Sequence, residues 1–310
     1  MSYFLKLIRI QNLIFIALTQ FFFRYCILLP IIKLEQISPA FSSIDFSLLV
    51  LSTVFIAAAG YAINDYFDIR IDRINKPQKI IVGKYISRRQ TILTHTVFNV
   101  TAVVIGIYLS YKVGSIKLAA FNLIMCALLW FYSVKYKAFF LIGNIIISLS
   151  SAMTIIVVWL FEIYALKSSG QIIIINLKLL NFFLFSYVIF AFFVSLIREI
   201  VKDVEDIEGD KKCGCSTLPI VMGDIKTKYV LLLLVILLII ALSFFSYLSY
   251  FNQLTIVFWY INIALIMPLL YTAYVIYVAN NKADYTFLSG ILKFIMFAGI
   301  FSMTLMFNWF

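Results

Sequence analysis

The sequence predicts an all-α, polytopic membrane protein with nine transmembrane helices, and three observations carry that prediction. Hydrophobic residues make up 64% of the 310 positions, charged residues only 13%, and the mean hydropathy is +1.05. A soluble domain is ordinarily about 45–50% apolar and about 25% charged. Apolar runs of the roughly 20 residues needed to cross a bilayer recur along the chain. They fall at about 10–32, 46–67, 91–110, 115–134, 138–161, 178–197, 228–249, 254–279 and 286–309. Finally, the connections between runs are short except for residues 68–90 and 198–227. A single integral-membrane domain over residues 1–310 is expected. The first run is interrupted by Gln20 and Arg24 and lacks a small-residue cleavage site, so it reads as a retained span rather than a signal peptide.

The basic residues set an orientation. With the N-terminus inside, 18 Lys and Arg fall on the cytoplasmic side and five (Lys33, Lys112, Lys117, Lys167 and Lys178) on the other. The positive-inside rule then places the N-terminus and both long connections in the cytoplasm. The net charge of +11 is therefore not a nucleic-acid signature, because the cations lie between spans rather than on one solvated face. Four cysteines supply no disulfide framework. Cys213 and Cys215, on the cytoplasmic side, are expected as free thiols without a metal.

Each long connection carries the pattern D-x-x-D-x-x-x-D. The first copy is Asp65, Asp68 and Asp72; the second is Asp203, Asp206 and Asp210, each 138 residues from its counterpart. On a continuous helix, steps of three and seven residues fall within about 60° of one another, so each set projects as one carboxylate face. Four spans separate the two sets, which suggests two parallel four-helix halves plus a ninth helix. Nine of the fourteen acidic residues lie in or beside these motifs. Clustered carboxylates repel one another unless cations intervene. Hard oxygen ligands of this kind suit Mg²⁺, whose octahedron is completed by substrate phosphates and water.

Cations surround the motifs: Arg73, Lys76 and Lys79 after the first, Arg198 and Lys202 before the second, and Lys135 and Lys137 at the end of the fourth span. Lysine as a point charge and arginine as a planar fork both bind phosphate. Lys84, Arg88, Arg89, Lys226 and Lys228 read as ordinary topology residues. Asn64 adjoins Asp65 and can hydrogen-bond at the metal site. Arg9 and Asn12 stand at the mouth of the first span, as either an interfacial anchor or a cavity-lining pair. His95, the only histidine, reads as a packing residue.

These residues resemble the two signatures of the UbiA superfamily of intramembrane prenyltransferases. The resemblance rests on Asn64-Asp65-x-x-Asp68-x-x-x-Asp72 and Asp203-x-x-Asp206-x-x-x-Asp210. Arg9-x-x-Asn12, Tyr132-Ser-Val-Lys135-Tyr-Lys137, Arg198-Glu-Ile-Val-Lys-Asp203 and Gly214-x-x-Thr217-Leu-Pro219 support it. The wording around the aspartates is most similar to the geranylgeranylglycerol-phosphate geranylgeranyltransferase group. The resemblance implies Mg²⁺-dependent transfer of an isoprenyl group from a prenyl diphosphate to a membrane-associated acceptor. It implies Asp65, Asp68, Asp72, Asp203, Asp206 and Asp210 as metal-binding catalytic residues. Arg9, Asn12, Asn64, Lys76, Lys79, Tyr132, Lys135, Arg198 and Lys202 are the expected substrate-binding set, with Tyr61, Tyr66, Phe67 or Tyr132 facing an allylic cation. One departure is visible: where the family often has Arg-Pro-x-Arg-Pro-x-x-x-Gly, this chain reads Lys76-Pro-Gln-Lys-Ile-Ile-Val-Gly83. The acceptor stays open between a glycerol-phosphate lipid and an aromatic ring such as a hydroxybenzoate or quinone precursor. A cation-coupled transporter is the non-enzymatic alternative, although acids at helix ends beside lysines suit phosphate better than a midplane ion path.

Overall fold

Backbone polar groups inside a bilayer must be paired within their own segment, which leaves the helix as the natural form for each long apolar run. A computed structural model describes residues 3–171 and 177–306 of the chain. Among the described residues, nine helices are long and apolar enough to cross a membrane. They are α1 (Ile10–Leu34), α2 (Ser43–Phe67), α3 (Arg88–Lys112), α4 (Ile116–Val134), α5 (Ile142–Ser168), α6 (Lys178–Glu205), α7 (Asp224–Phe251), α8 (Thr255–Val278) and α9 (Lys282–Met306). The protein is an integral membrane protein. Residues 307–309, assigned to the last span from sequence, lie outside the described residues.

Local chemistry sets several helix starts. Ser42 caps α2 by accepting from the Asp45 N–H at 3.1 Å. Ser87 and Gln90 form a reciprocal capping box on α3. Two spans are not regular throughout. α1 has a π-helical turn at Phe23–Leu28 and α8 one at Ile261–Ile266, each just before a proline, Pro30 or Pro268. A proline removes one backbone donor and crowds the preceding turn, and the widened turn accommodates this. The turn in α1 carries Arg24. Its Nε donates to Glu162 of α5 at 3.0 Å, and its Nη2 donates to the Phe41 carbonyl. Both charged side chains are fully enclosed.

Two boundaries differ from the sequence expectation in ways that matter. The fifth span begins at Ile142, not 138, because Tyr136–Ala138 forms a 3₁₀ turn. The sixth runs on to Glu205, so Arg198, Lys202 and Asp203 ride on α6 instead of in a connecting loop.

The spans pack in sequence, α2 against α3 and α4, α5 against α6, and α6 against α9, with α1 touching α2, α5 and α9. Side chains of α1, α2, α4, α5, α6 and α9 enclose a cavity that runs inward from the Asp-motif end of the bundle. The outward positions of α7, including Leu233, Ile236, Ile240 and Phe244, are exposed and apolar, the pattern of a lipid-facing surface.

Candidate active site

Both aspartate motifs are built across a helix break. α2 ends at Phe67, Asp68 is the junction, and a short helix, Ile69–Asn75, leaves in a new direction. α6 ends at Glu205, Asp206 is the junction, and Ile207–Lys212 follows. The expectation of one uninterrupted helix under each motif is thus corrected: the first aspartate stands on a span, the second on the break, the third on a short helix. The break falls at equivalent positions of the two motifs, 138 residues apart.

The two short helices pack against each other. Asn75 fastens them. Its Nδ2 donates to the Asp206 carbonyl at 2.9 Å, and its Oδ1 accepts from the Gly209 N–H at 2.9 Å. Any side chain at position 209 would overlap the Asn75 amide, so the glycine is what permits the approach. Lys76 then reaches from the first motif to the Asp206 carboxylate at 2.6 Å.

Asp65, Asp68, Asp203 and Glu199 are held by cations and amides. Arg9 donates to Asp65 at 2.8 Å and lies over the Tyr61 ring. Arg9 itself adopts a left-handed backbone (φ 52°), which separates the short helix Tyr3–Leu7 from α1. A non-glycine residue in that conformation is strained, and here it accompanies the turn of the guanidinium toward Asp65. Lys137 pairs with Asp68, and the Asn64 amide donates to the same carboxylate at 2.6 Å. The Asn144 amide donates to Asp203 at 2.7 Å. Glu199 accepts from Lys202 at 2.5 Å and from Arg198 at 3.3 Å.

The acids of the two motifs also lie close enough to act on one another. Burial, reinforced by Asp68 and Asp65, raises Asp72 to about 6. Burial together with Asp206 and, from the other motif, Asp68 raises Asp210 to about 7, against the opposing pull of Lys137. Carboxylates that repel across the motifs need a cation between them.

The donor set fits Mg²⁺. It consists of hard oxygens, and the buried Oδ1 atoms of Asp206 and Asn64 have no hydrogen-bond partner among the described residues. Those residues also contain no three acidic, His or Cys side chains closed into a ready-made cage. Mg²⁺ does not require one, because it commonly takes one or two carboxylates and leaves its other positions to phosphates and water.

Of the other expected residues, Arg9, Asn12, Asn64, Tyr132, Arg198 and Lys202 all line the cavity, so Arg9 and Asn12 are cavity-lining rather than interfacial. Lys79 is exposed on a 3₁₀ turn, Pro77–Lys79. Lys135 does not join the site: its ammonium stands 5.8 Å from the Phe139 ring, and the 3₁₀ turn brings Lys137 to Asp68 instead. His95 is buried, within hydrogen-bond distance of the Ala59 carbonyl at 3.0 Å and packed on Trp130. Sequence reasoning missed Asn75, Asn144 and Lys293. The glycine inside the second motif, Gly209, a position open to close approach, was the available signal for Asn75. Nothing in the linear pattern pointed to the other two.

The UbiA prenyltransferase family matches residues 36–301. The chain belongs to that family. It is a prenyltransferase. The digeranylgeranylglyceryl phosphate synthase of Sulfolobus acidocaldarius is 33% identical over 217 residues, 69% of each chain. The enzyme of the same name from Methanosphaera stadtmanae is 31% identical over 77% of this chain and 80% of its own. A solved structure of a digeranylgeranylglyceryl phosphate synthase shares 26% identity and superposes with a TM-score of 0.58, covering 97% of this chain and 98% of that one. A UbiA homologue from Archaeoglobus fulgidus, solved with GPP and Mg²⁺, shares the fold at 19% identity and a TM-score of 0.57, over 98% and 99% of the two chains.

Proposed function

We propose that this UbiA prenyltransferase carries out Mg²⁺-dependent transfer of an isoprenyl group from a prenyl diphosphate to the free hydroxyl of geranylgeranylglyceryl phosphate. The observation that carries the proposal is the convergence of two carboxylate motifs at the polar mouth of a cavity that continues into the apolar bundle. The similarity to digeranylgeranylglyceryl phosphate synthases supports the phosphorylated glyceryl acceptor. The distribution of Lys and Arg supports a cytoplasmic N-terminus and a site open to the cytoplasm.

Asp65, Asp68, Asp72, Asp203, Asp206 and Asp210 would hold Mg²⁺, with Asn64 beside them. When bound, the metal supplies Lewis-acid neutralisation of the diphosphate leaving group. Lys76 and Lys137, now paired with Asp206 and Asp68, sit where they can exchange a carboxylate for a phosphate oxygen. The C1–O bond of the donor breaks, its electron pair leaves with the diphosphate, and an allylic cation remains. Tyr61 and Tyr132 line the cavity close to the aspartates, where a ring face stabilises positive charge. The acceptor hydroxyl oxygen then bonds to C1, and its proton passes to the departing diphosphate. Apolar cavity walls exclude water from the cation and receive the prenyl tail.

The test uses the purified protein in lipid nanodiscs with C20 diphosphate and Mg²⁺. Geranylgeranylglyceryl phosphate and a hydroxybenzoate serve as competing acceptors, and mass spectrometry reads the product. The expected product is the diether phosphate, lost with Asp65→Ala or Asp206→Ala. An aromatic product alone, or undiminished turnover in both variants, overturns the proposal.

A further inference from the structure

Four cations line the cavity: Arg9, Arg198, Lys202 and Lys293. Two of them have their own carboxylate, Arg9 at Asp65 and Lys202 at Glu199. Arg198 only shares Glu199, through Nη1 at 3.3 Å, and its buried Nε has no partner among the described residues. Lys293 makes no hydrogen bond or ion pair among the described residues. The charges within its electrostatic reach are Arg198, Arg9 and Lys79, all positive.

Lys293, exposed to the cavity, also stands inside a span. It lies eleven residues into α9, about 16 Å along the axis from Lys282. A lysine inside a span costs free energy unless it faces a cavity and finds an anion. Two cavity cations, Arg198 and Lys293, have no counter-charge of their own. The diphosphate end is separately supplied, because Lys76 and Lys137 already stand on the carboxylates of the two motifs. α6 and α9, which carry Arg198 and Lys293, pack directly against each other.

We propose that Arg198 and Lys293 form an anion subsite that holds the phosphate of the acceptor, apart from the diphosphate of the donor. This inference rests on the phosphorylated glyceryl acceptor proposed above. The planar Arg198 fork and the Lys293 point charge are complementary ligands for a phosphomonoester. The attacking hydroxyl belongs to the same three-carbon glyceryl unit as that phosphate. Fixing the phosphate therefore places the hydroxyl, and the subsite selects acceptors that carry the anion.

The experiment compares wild type, Lys293→Gln and Lys293→Arg in nanodiscs, with geranylgeranylglyceryl phosphate and its dephosphorylated alcohol as acceptors. Donor affinity is measured separately with a non-hydrolysable C20 thiolodiphosphate. Lys293→Gln is expected to raise KM for the phosphorylated acceptor about 10- to 100-fold, the scale of a lost charge-assisted hydrogen bond. Its preference for the phosphorylated acceptor over the alcohol should collapse, Lys293→Arg should recover most of it, and donor affinity should stay within about twofold of wild type. Inorganic phosphate should compete with the acceptor in wild type and less in Lys293→Gln. Weaker donor binding with an unchanged acceptor KM would move Lys293 to the diphosphate clamp and overturn the inference; no change in either would make it a solvated lysine. Melting temperature in detergent guards against misfolding. A wild-type enzyme that ignores phosphoglyceryl lipid but prenylates an aromatic ring refutes the function proposed above, and the phosphate subsite with it. Acceptance of that lipid with an unaltered Lys293→Gln profile refutes only the subsite.

Discussion

Asp72 and Asp210 hold protons more tightly than ordinary carboxylates, near 6 and 7, because each is buried among other acids. A carboxylate binds a metal in its deprotonated form, so in the proposed metal site protons and Mg²⁺ would compete for these two groups. Because both values are raised, the competition is strongest below them and is relieved as pH rises through 6 and 7. Apparent Mg²⁺ affinity of the donor-free protein should therefore increase on the order of tenfold from pH 6 to pH 8. Calorimetric titration in buffers of different ionisation enthalpy should show proton release near pH 6.5. A flat pH profile with no proton release would remove Asp72 and Asp210 from the ligand set. Asp72→Asn should reduce the released protons without abolishing the fold, since its carboxylate sits on a short helix outside the spans.

At the level of elements, the site depends on two helix breaks being held face to face. Asn75 spans them with two hydrogen bonds, to the Asp206 carbonyl and the Gly209 N–H. Each such bond contributes about 0.5–1.5 kcal/mol net, and losing both leaves two backbone groups unpaired. Asn75→Ala should lower kcat/KM roughly tenfold or more while changing the melting temperature little, because the spans remain packed. Gly209→Ala should mimic it by pushing the Asn75 amide away. Normal turnover in both variants would show that the breaks dock without this clamp. The spans and the aspartate spacing were legible in the sequence, because burial in lipid leaves a composition signal twenty residues long. The breaks at Asp68 and Asp206 were not: no proline or glycine marks them, and they arise from how the short helices dock. Lys135 was expected in the place that Lys137 takes for the same reason, since a 3₁₀ turn decides which lysine faces Asp68. Lys293 escaped notice because positive-inside reasoning reads loops, whereas this lysine gains its meaning from the cavity its span lines.

For the whole molecule, the spans set the length of the cavity that is proposed to receive the prenyl tail. The lining of α6 extends from Lys202 at the polar mouth to Tyr187, fifteen residues and about 22 Å deeper. On α9 it extends from Lys293 to Met303, with Gly299 between them. Gly299 faces Phe190 of α6 so closely that any added side chain would overlap the ring. Since α6 and α9 are packed together here, Phe190 cannot retreat into its own helix, and relief lies in the cavity. Gly299→Val should therefore push the Phe190 ring into the space that receives the donor tail. The carboxylates and cations at the mouth lie more than a turn away and keep their contacts. Turnover of a C20 diphosphate should fall by about an order of magnitude or more, as overpacking of a well-filled wall usually costs about 1–3 kcal/mol. A C10 diphosphate, whose tail ends nearer the mouth, should be much less affected. The ratio of kcat/KM for C20 to C10 donors is the measurement, and Gly299→Val combined with Phe190→Ala should restore it by removing the displaced ring. Equal losses for both donors would mean that Gly299 supports helix packing alone, and the tail would then have to leave the mouth by another path between spans.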